Sequence, residues 1–227
     1  MKLLTSMFRN ELTNLFTELL EAAVGMEHSA ETRLASQEEA LATAQEEEDR
    51  YVEQHVLNWF TEALPRVLRY SSVVATFTAI EFSLAAVCHE LQRQKGFSLA
   101  VGDLKGSGSE QSRSYLTKVA GIDLDDLNGI WQQLKDWQRV RNCIVHTNGE
   151  IGRANDAAKL QEAIVRLEGL NSESNEWSLG GEIRIEAGAC ERLIRLGKSF
   201  VEAVMEKSFG PDPFGNIVIE EVMWRLS

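Results

Sequence analysis

The sequence holds only three prolines and three cysteines, and no apolar run approaches the roughly 18 residues that a bilayer-spanning helix needs. So few prolines, together with long stretches free of turn residues, predict a mostly helical chain. Cys88, Cys143 and Cys190 stand far apart, with no Cys-x-x-Cys and no Cys/His ligand spacing. That excludes a disulfide framework and a zinc finger, and it predicts a reducing, cytoplasmic setting. His28, His55, His89 and His146 are scattered and form no His-Glu-x-x-His pair, so neither a metal nor another cofactor is expected. The segment from Met1 to Phe16 is apolar but broken by Lys2, Arg9, Asn10 and Glu11, which predicts an amphipathic helix and not a signal peptide.

Basic charge is also scarce. The net charge is −12, which excludes a protein that coats nucleic acid through a broad cationic face; no DNA partner and no membrane are expected. The charge is uneven, at −9 over residues 1–64, +2 over 65–153 and −5 over 154–227. Room for a phosphate therefore remains in the middle third.

What is present reads as one domain over 1–227, with acidic helices over 1–64, a core over 65–150 and helices with a hairpin over 151–227. A first helix is predicted from Leu3 to Val24, ending near Gly25, and a second from Ser29 to Leu64. The run Glu46-Glu47-Glu48-Asp49 reads as a solvated helix face. Pro65 opens a third, apolar helix to Lys95, closed by Gly96. Gly106-Ser107-Gly108 lies in a loop and is too sparse for a phosphate-binding fingerprint. A short helix over Glu110–Ala120 precedes a helix from the N-cap Asp123 to Thr147, stopped by Asn148-Gly149. Another helix follows over Ala154–Leu170. Trp177-Ser178-Leu179, Gly180-Gly181 and Glu182 to Ile185 read as a two-stranded hairpin, and a last helix runs from Ala187 to Phe209. The expected class is all-α with a small C-terminal β-hairpin.

The most informative segment is Arg141-Asn142-Cys143-Ile144-Val145-His146. On a helical wheel, Leu127, Ile130, Leu134, Trp137, Ile144 and Val145 form one apolar stripe, and Arg141 falls in its middle. Asn142 and His146 are four apart and share a different face. An arginine in a core needs a partner. Glu81 also interrupts an apolar stripe, between Phe77 and Leu84, so a Glu81–Arg141 pair is expected. These residues alone also fit a structural ion pair with a histidine at a helix end, where the dipole favours a cation.

Arg141-Asn142 followed by His146, with a polar residue directly after the arginine, resembles the arginine–four-to-six residues–histidine motif of the HEPN superfamily (higher eukaryotes and prokaryotes nucleotide-binding). The lead-in Val119-Ala120-Gly121-Ile122-Asp123-Leu124 and the earlier helix Phe77-Thr78-Ala79-Ile80-Glu81-Phe82-Ser83-Leu84 are similar to that family as well. The resemblance covers about residues 65–150. It implies a helical bundle that forms a homodimer, the two motifs meeting across a two-fold axis. It also implies a metal-independent endoribonuclease, of the kind found as toxins or in phage defence, with RNA as substrate and an antitoxin protein as a possible partner. Catalytic roles then fall to Arg141, Asn142, His146 and the supporting Glu81. The family's toxin subgroup that carries a tyrosine two residues after the histidine is excluded, since Asn148 stands there. Two other readings share the same residues: an inactive HEPN-like module that binds RNA or a nucleotide, and an interaction or immunity protein whose acidic Glu38–Asp49 face docks a basic partner.

Overall fold

The computed structural model describes residues 2–106, 108–174 and 180–212. The chain is all-α with one small sheet: α1 (Lys2–Thr43), α2 (Glu47–Asn58), a π-helical turn (Trp59–Ala63), α3 (Leu64–Lys95), α4 (Gly108–Lys118), α5 (Asn128–Thr147), α6 (Ala157–Arg166), β1 (Leu170–Glu173), β2 (Glu182–Ile185) and α7 (Ala189–Phe209). It divides into two compact units, each assembled from distant segments.

The first unit comprises residues 1–18, 76–132 and 195–227. Its core is apolar, with Phe16, Phe77, Leu84, Tyr115, Leu116, Phe200 and Val204 almost fully buried. Gly197 permits the close packing of α7 here. A Cβ at that position would lie 2.8 Å from Ile80 Cδ1 and 3.3 Å from the Phe16 ring, so any larger residue forces the helices apart. Trp131 stacks on Phe200 at 5.5 Å, and the Arg113 guanidinium lies over Trp131 at 5.0 Å.

The second unit comprises residues 19–75 and 133–194. Tyr70, Val73, Trp137, Val140, Ile144, Leu160, Ile164, Ile183 and Leu193 fill its core. β1 and β2 pair antiparallel, Leu170 opposite Ile185 and Glu173 opposite Glu182. Arg69 is held by Glu27 at 2.7 Å and donates to the Ile185 carbonyl at 2.8 Å, which ties α1, α3 and β2 together. α2 buries none of its residues and exposes Tyr51 and Val52, and Trp59 just beyond it is exposed as well.

Several boundaries differ from the sequence expectation. α1 runs through Gly25 without a break, because a mid-helix glycine costs only about 1 kcal/mol and good helix formers flank it. The break falls at residues 44–46 instead. Pro65 sits in the first turn of α3, as expected, where its missing N–H is tolerated, and a π-helical turn precedes it. β2 pairs with β1, Leu170–Glu173; the expected strand Trp177–Leu179 lies outside the described residues. The stretch Glu47–Lys95 contains a window apolar enough to cross a membrane by length and composition, and 56% of that window is buried. That burial suits a central core helix.

Candidate functional site

α5 supplies three of the four expected site residues. It begins after a 3-10 turn over Asp125–Leu127, and Asp123 Oδ1 accepts the Asp125 N–H at 2.9 Å. Beyond Gln132 the helix belongs to the second unit, and there Leu134, Asp136, Trp137, Val140, Cys143 and Ile144 are the buried residues. Their centre is the Trp137–Val140–Ile144 line, rotated away from the stripe read on an ideal wheel. Two positions change as a result. Val145, expected in the core, is 47% exposed, and Arg141 sits half-buried at the edge of the apolar face and not at its middle. Asn142 and His146 are exposed on the same side of the helix.

Arg141 Nη1 donates to Asn142 Oδ1 at 3.1 Å. Its Nε is buried and has no hydrogen-bond partner. One guanidinium nitrogen is thus held while Nε is unsatisfied, and an unmade bond of this kind costs about 1–3 kcal/mol. Cys143, inside the same motif, points into the core; its Sγ lies 3.2 Å from Thr147 Oγ1, and burial pushes the thiol up, so it is no nucleophile.

The end of α5 is fixed tightly. Asn148 and Gly149 both take positive φ, 53° and 86°, and the Asn148 N–H closes on the Ile144 carbonyl at 3.0 Å. Thr147 Oγ1 donates to the Cys143 carbonyl at 2.8 Å or the Glu150 carbonyl at 2.9 Å. The next residues join β2: the Ile183 N–H donates to the Gly149 carbonyl at 3.0 Å, and the Ile151 N–H to the Gly181 carbonyl at 2.9 Å. Tyr70 Oη donates to the Ile183 carbonyl at 2.7 Å. A Cβ on Gly149 would fall 2.1 Å from that hydroxyl. His146 therefore stands on a helix end that cannot fray easily.

Glu81, the fourth expected residue, lies on α3 in the first unit, half-buried. A Cβ at Gly108 would come within 2.6 Å of its Oε1, so the carboxylate lies against the start of α4, where the helix dipole favours negative charge. The structure thus groups Arg141, Asn142 and His146, and describes Glu81 within the other unit.

One cluster was not anticipated. Asp136, only 3% exposed, accepts from Arg166 Nε at 2.8 Å and Nη2 at 2.9 Å, and from Arg139 Nη1 at 2.8 Å. The hydrogen bond to Asp136 raises the Arg166 pKa. The Asp136–Arg139 spacing was visible in the sequence, whereas Arg166 is 30 residues away and left no local signal. Among the described residues, no group of three or more His, Cys, Asp or Glu side chains is placed to hold a metal ion. The second unit also contains a cleft of about 480 Å³ beside the π-helical turn, where Arg66 pairs with Glu182 and Arg184 with Glu173.

No protein-family profile, curated protein or solved structure matches this chain.

Proposed function

We propose that the chain is a metal-independent endoribonuclease of the HEPN type, acting as a homodimer in the cytoplasm as a toxin or a phage-defence component. The observation that carries this reading is the Arg141–Asn142–His146 constellation: a guanidinium oriented by its neighbour and short of an acceptor, next to an exposed imidazole on a rigid helix end. In the proposed reaction, one His146 imidazole takes the proton of a ribose 2′-hydroxyl as that oxygen attacks phosphorus. Arg141 binds the phosphate and balances the charge of the phosphorane. The bond from phosphorus to the 5′ oxygen breaks, and the second subunit's histidine, present as the imidazolium, gives that oxygen a proton and ends neutral. The products are a 2′,3′-cyclic phosphate and a 5′-hydroxyl. Asn142 orients Arg141. An antitoxin protein fits the toxin role. The test is cleavage of single-stranded RNA in excess EDTA. Wild type cuts, and His146→Ala and Arg141→Ala do not; equal cleavage by His146→Ala refutes the reading.

A second reading, an interaction module, is favoured by the exposed Tyr51, Val52 and Trp59 beside the acidic run Glu46–Asp49. Under it, Tyr51→Ala with Trp59→Ala abolishes the biological effect of the protein, and His146→Ala leaves that effect intact.

A further inference from the structure

We propose that Lys135, Arg139 and Arg166 form a phosphate-binding track that holds the RNA strand alongside His146. The identity of the ligand as RNA rests on the ribonuclease reading; the track itself rests on a separate set of observations.

The first is spacing. Lys135, Arg139, Asn142 and His146 follow one another at intervals of four, three and four residues, so they form a single row along one side of α5. At about 1.5 Å of rise per residue, Arg139 lies roughly 10 Å and Lys135 roughly 16 Å from His146 along the axis. A strand whose scissile phosphate sits at His146 runs past both cations.

The second is the buried carboxylate. Asp136 grips Arg166 through two parallel hydrogen bonds and Arg139 through a third. A carboxylate taken out of water demands such partners. Asp136 is shared by both guanidiniums, and Glu162 is a second acid beside Arg166, so the positive surplus of the row is supplied by Lys135. Asp136 also occupies only a minority of their N–H donors. The side chains of Arg139 and Arg166 remain 31% and 50% exposed. Two arginines fixed by a common anchor lose little further entropy when a phosphate docks. Glu162, 3.7 Å from Arg166 Nη1 and 67% exposed, is the neighbouring acid that a phosphate would displace.

The third is contrast. In a chain of net charge −12, a cationic row is not background. An acidic body repels a polyanion at long range, so a strand is retained only where a local surplus offsets that field.

The experiment measures binding of a fluorescent single-stranded oligonucleotide whose 2′-hydroxyls are methylated, so that wild-type protein binds it and cannot cut it by 2′ attack. Binding is followed across added salt. Each single-strand phosphate contact contributes about 0.7 to the slope of log affinity against log salt. Arg139→Gln with Arg166→Gln is expected to lower that slope by about 1.4 and weaken binding more than about tenfold. Arg139→Lys with Arg166→Lys is expected to keep most of the slope. A slope unchanged in the folded glutamine variant, or no binding by wild type, overturns the track. If the glutamine pair unfolds the protein, Lys135→Gln decides alone, with a fall of about 0.7 expected and no change contradicting the proposal. The two proposals fail separately. Intact salt-dependent binding with no cleavage of unmodified RNA refutes the ribonuclease and leaves the track. Cleavage with a slope indifferent to all these variants does the reverse.

Discussion

The Arg141 guanidinium donates to Oδ1 of Asn142 at 3.1 Å, so two adjacent residues of the motif behave as one group. Asn142 is exposed and its side chain supports no core packing, so its loss should act on chemistry and not on folding. Asn142→Ala is expected to lower RNA cleavage at least about tenfold by releasing the guanidinium. Stability should change by less than about 0.5 kcal/mol. Single-turnover cleavage and a urea melt measure the two effects; a large stability loss with unaltered cleavage contradicts the assignment.

The end of α5 makes the opposite forecast. Gly149 has φ 86°, and an added Cβ would overlap the Tyr70 hydroxyl. Gly149→Ala is therefore expected to destabilise the protein by more than about 2 kcal/mol in urea. Gly25 has nothing within 4 Å of an added Cβ and lies inside α1, so Gly25→Ala should stabilise by about 0.5–1 kcal/mol. A neutral Gly149→Ala, or a destabilising Gly25→Ala, would contradict the geometry of those helices.

These two glycines also show what was legible from sequence. Asn148-Gly149 was recognisable as a helix stop because a left-handed residue pair ends helices, and Gly96 closed α3 for the same reason. Gly25 looked like a stop and is not, since propensity is a weak prior against a long run of helix formers. The apolar periodicity identified α5 and most of its core. It misplaced Val145 and Arg141 because the side of α5 that is buried rotates along its length, which an ideal wheel does not describe. The partner of β2 was missed for want of pattern: β1 buries only Leu170 and reads as a polar segment. Within the site, Asn142 and His146 were legible from a spacing of four. The Asp136–Arg166 clamp joins residues 30 apart on two helices, and no single-segment pattern encodes it.

Buried thiols give a pH dependence with a defined sign. Burial pushes Cys88 and Cys190 up to about 12 from an ordinary value near 9. The folded state then retains protons that the unfolded chain has released. Their contribution to stability is complete below about pH 9 and is lost as pH rises towards 12. Urea midpoints should fall over that range, and Cys88→Ala with Cys190→Ala should fall less steeply. A parallel decline in the double variant would contradict this account. All three cysteines are free and buried, so a thiol reagent should modify the native protein slowly and the urea-unfolded chain at once.

The most direct measurement of the central claim is the chemistry of the cut ends. Wild-type protein, in excess EDTA, is incubated with a labelled single-stranded RNA, and the products are resolved by end group. Wild type is expected to leave a 2′,3′-cyclic phosphate and a 5′-hydroxyl, and His146→Ala no product. Products bearing a 3′-hydroxyl and a 5′-phosphate, or the same products at the same rate from His146→Ala, would contradict that claim.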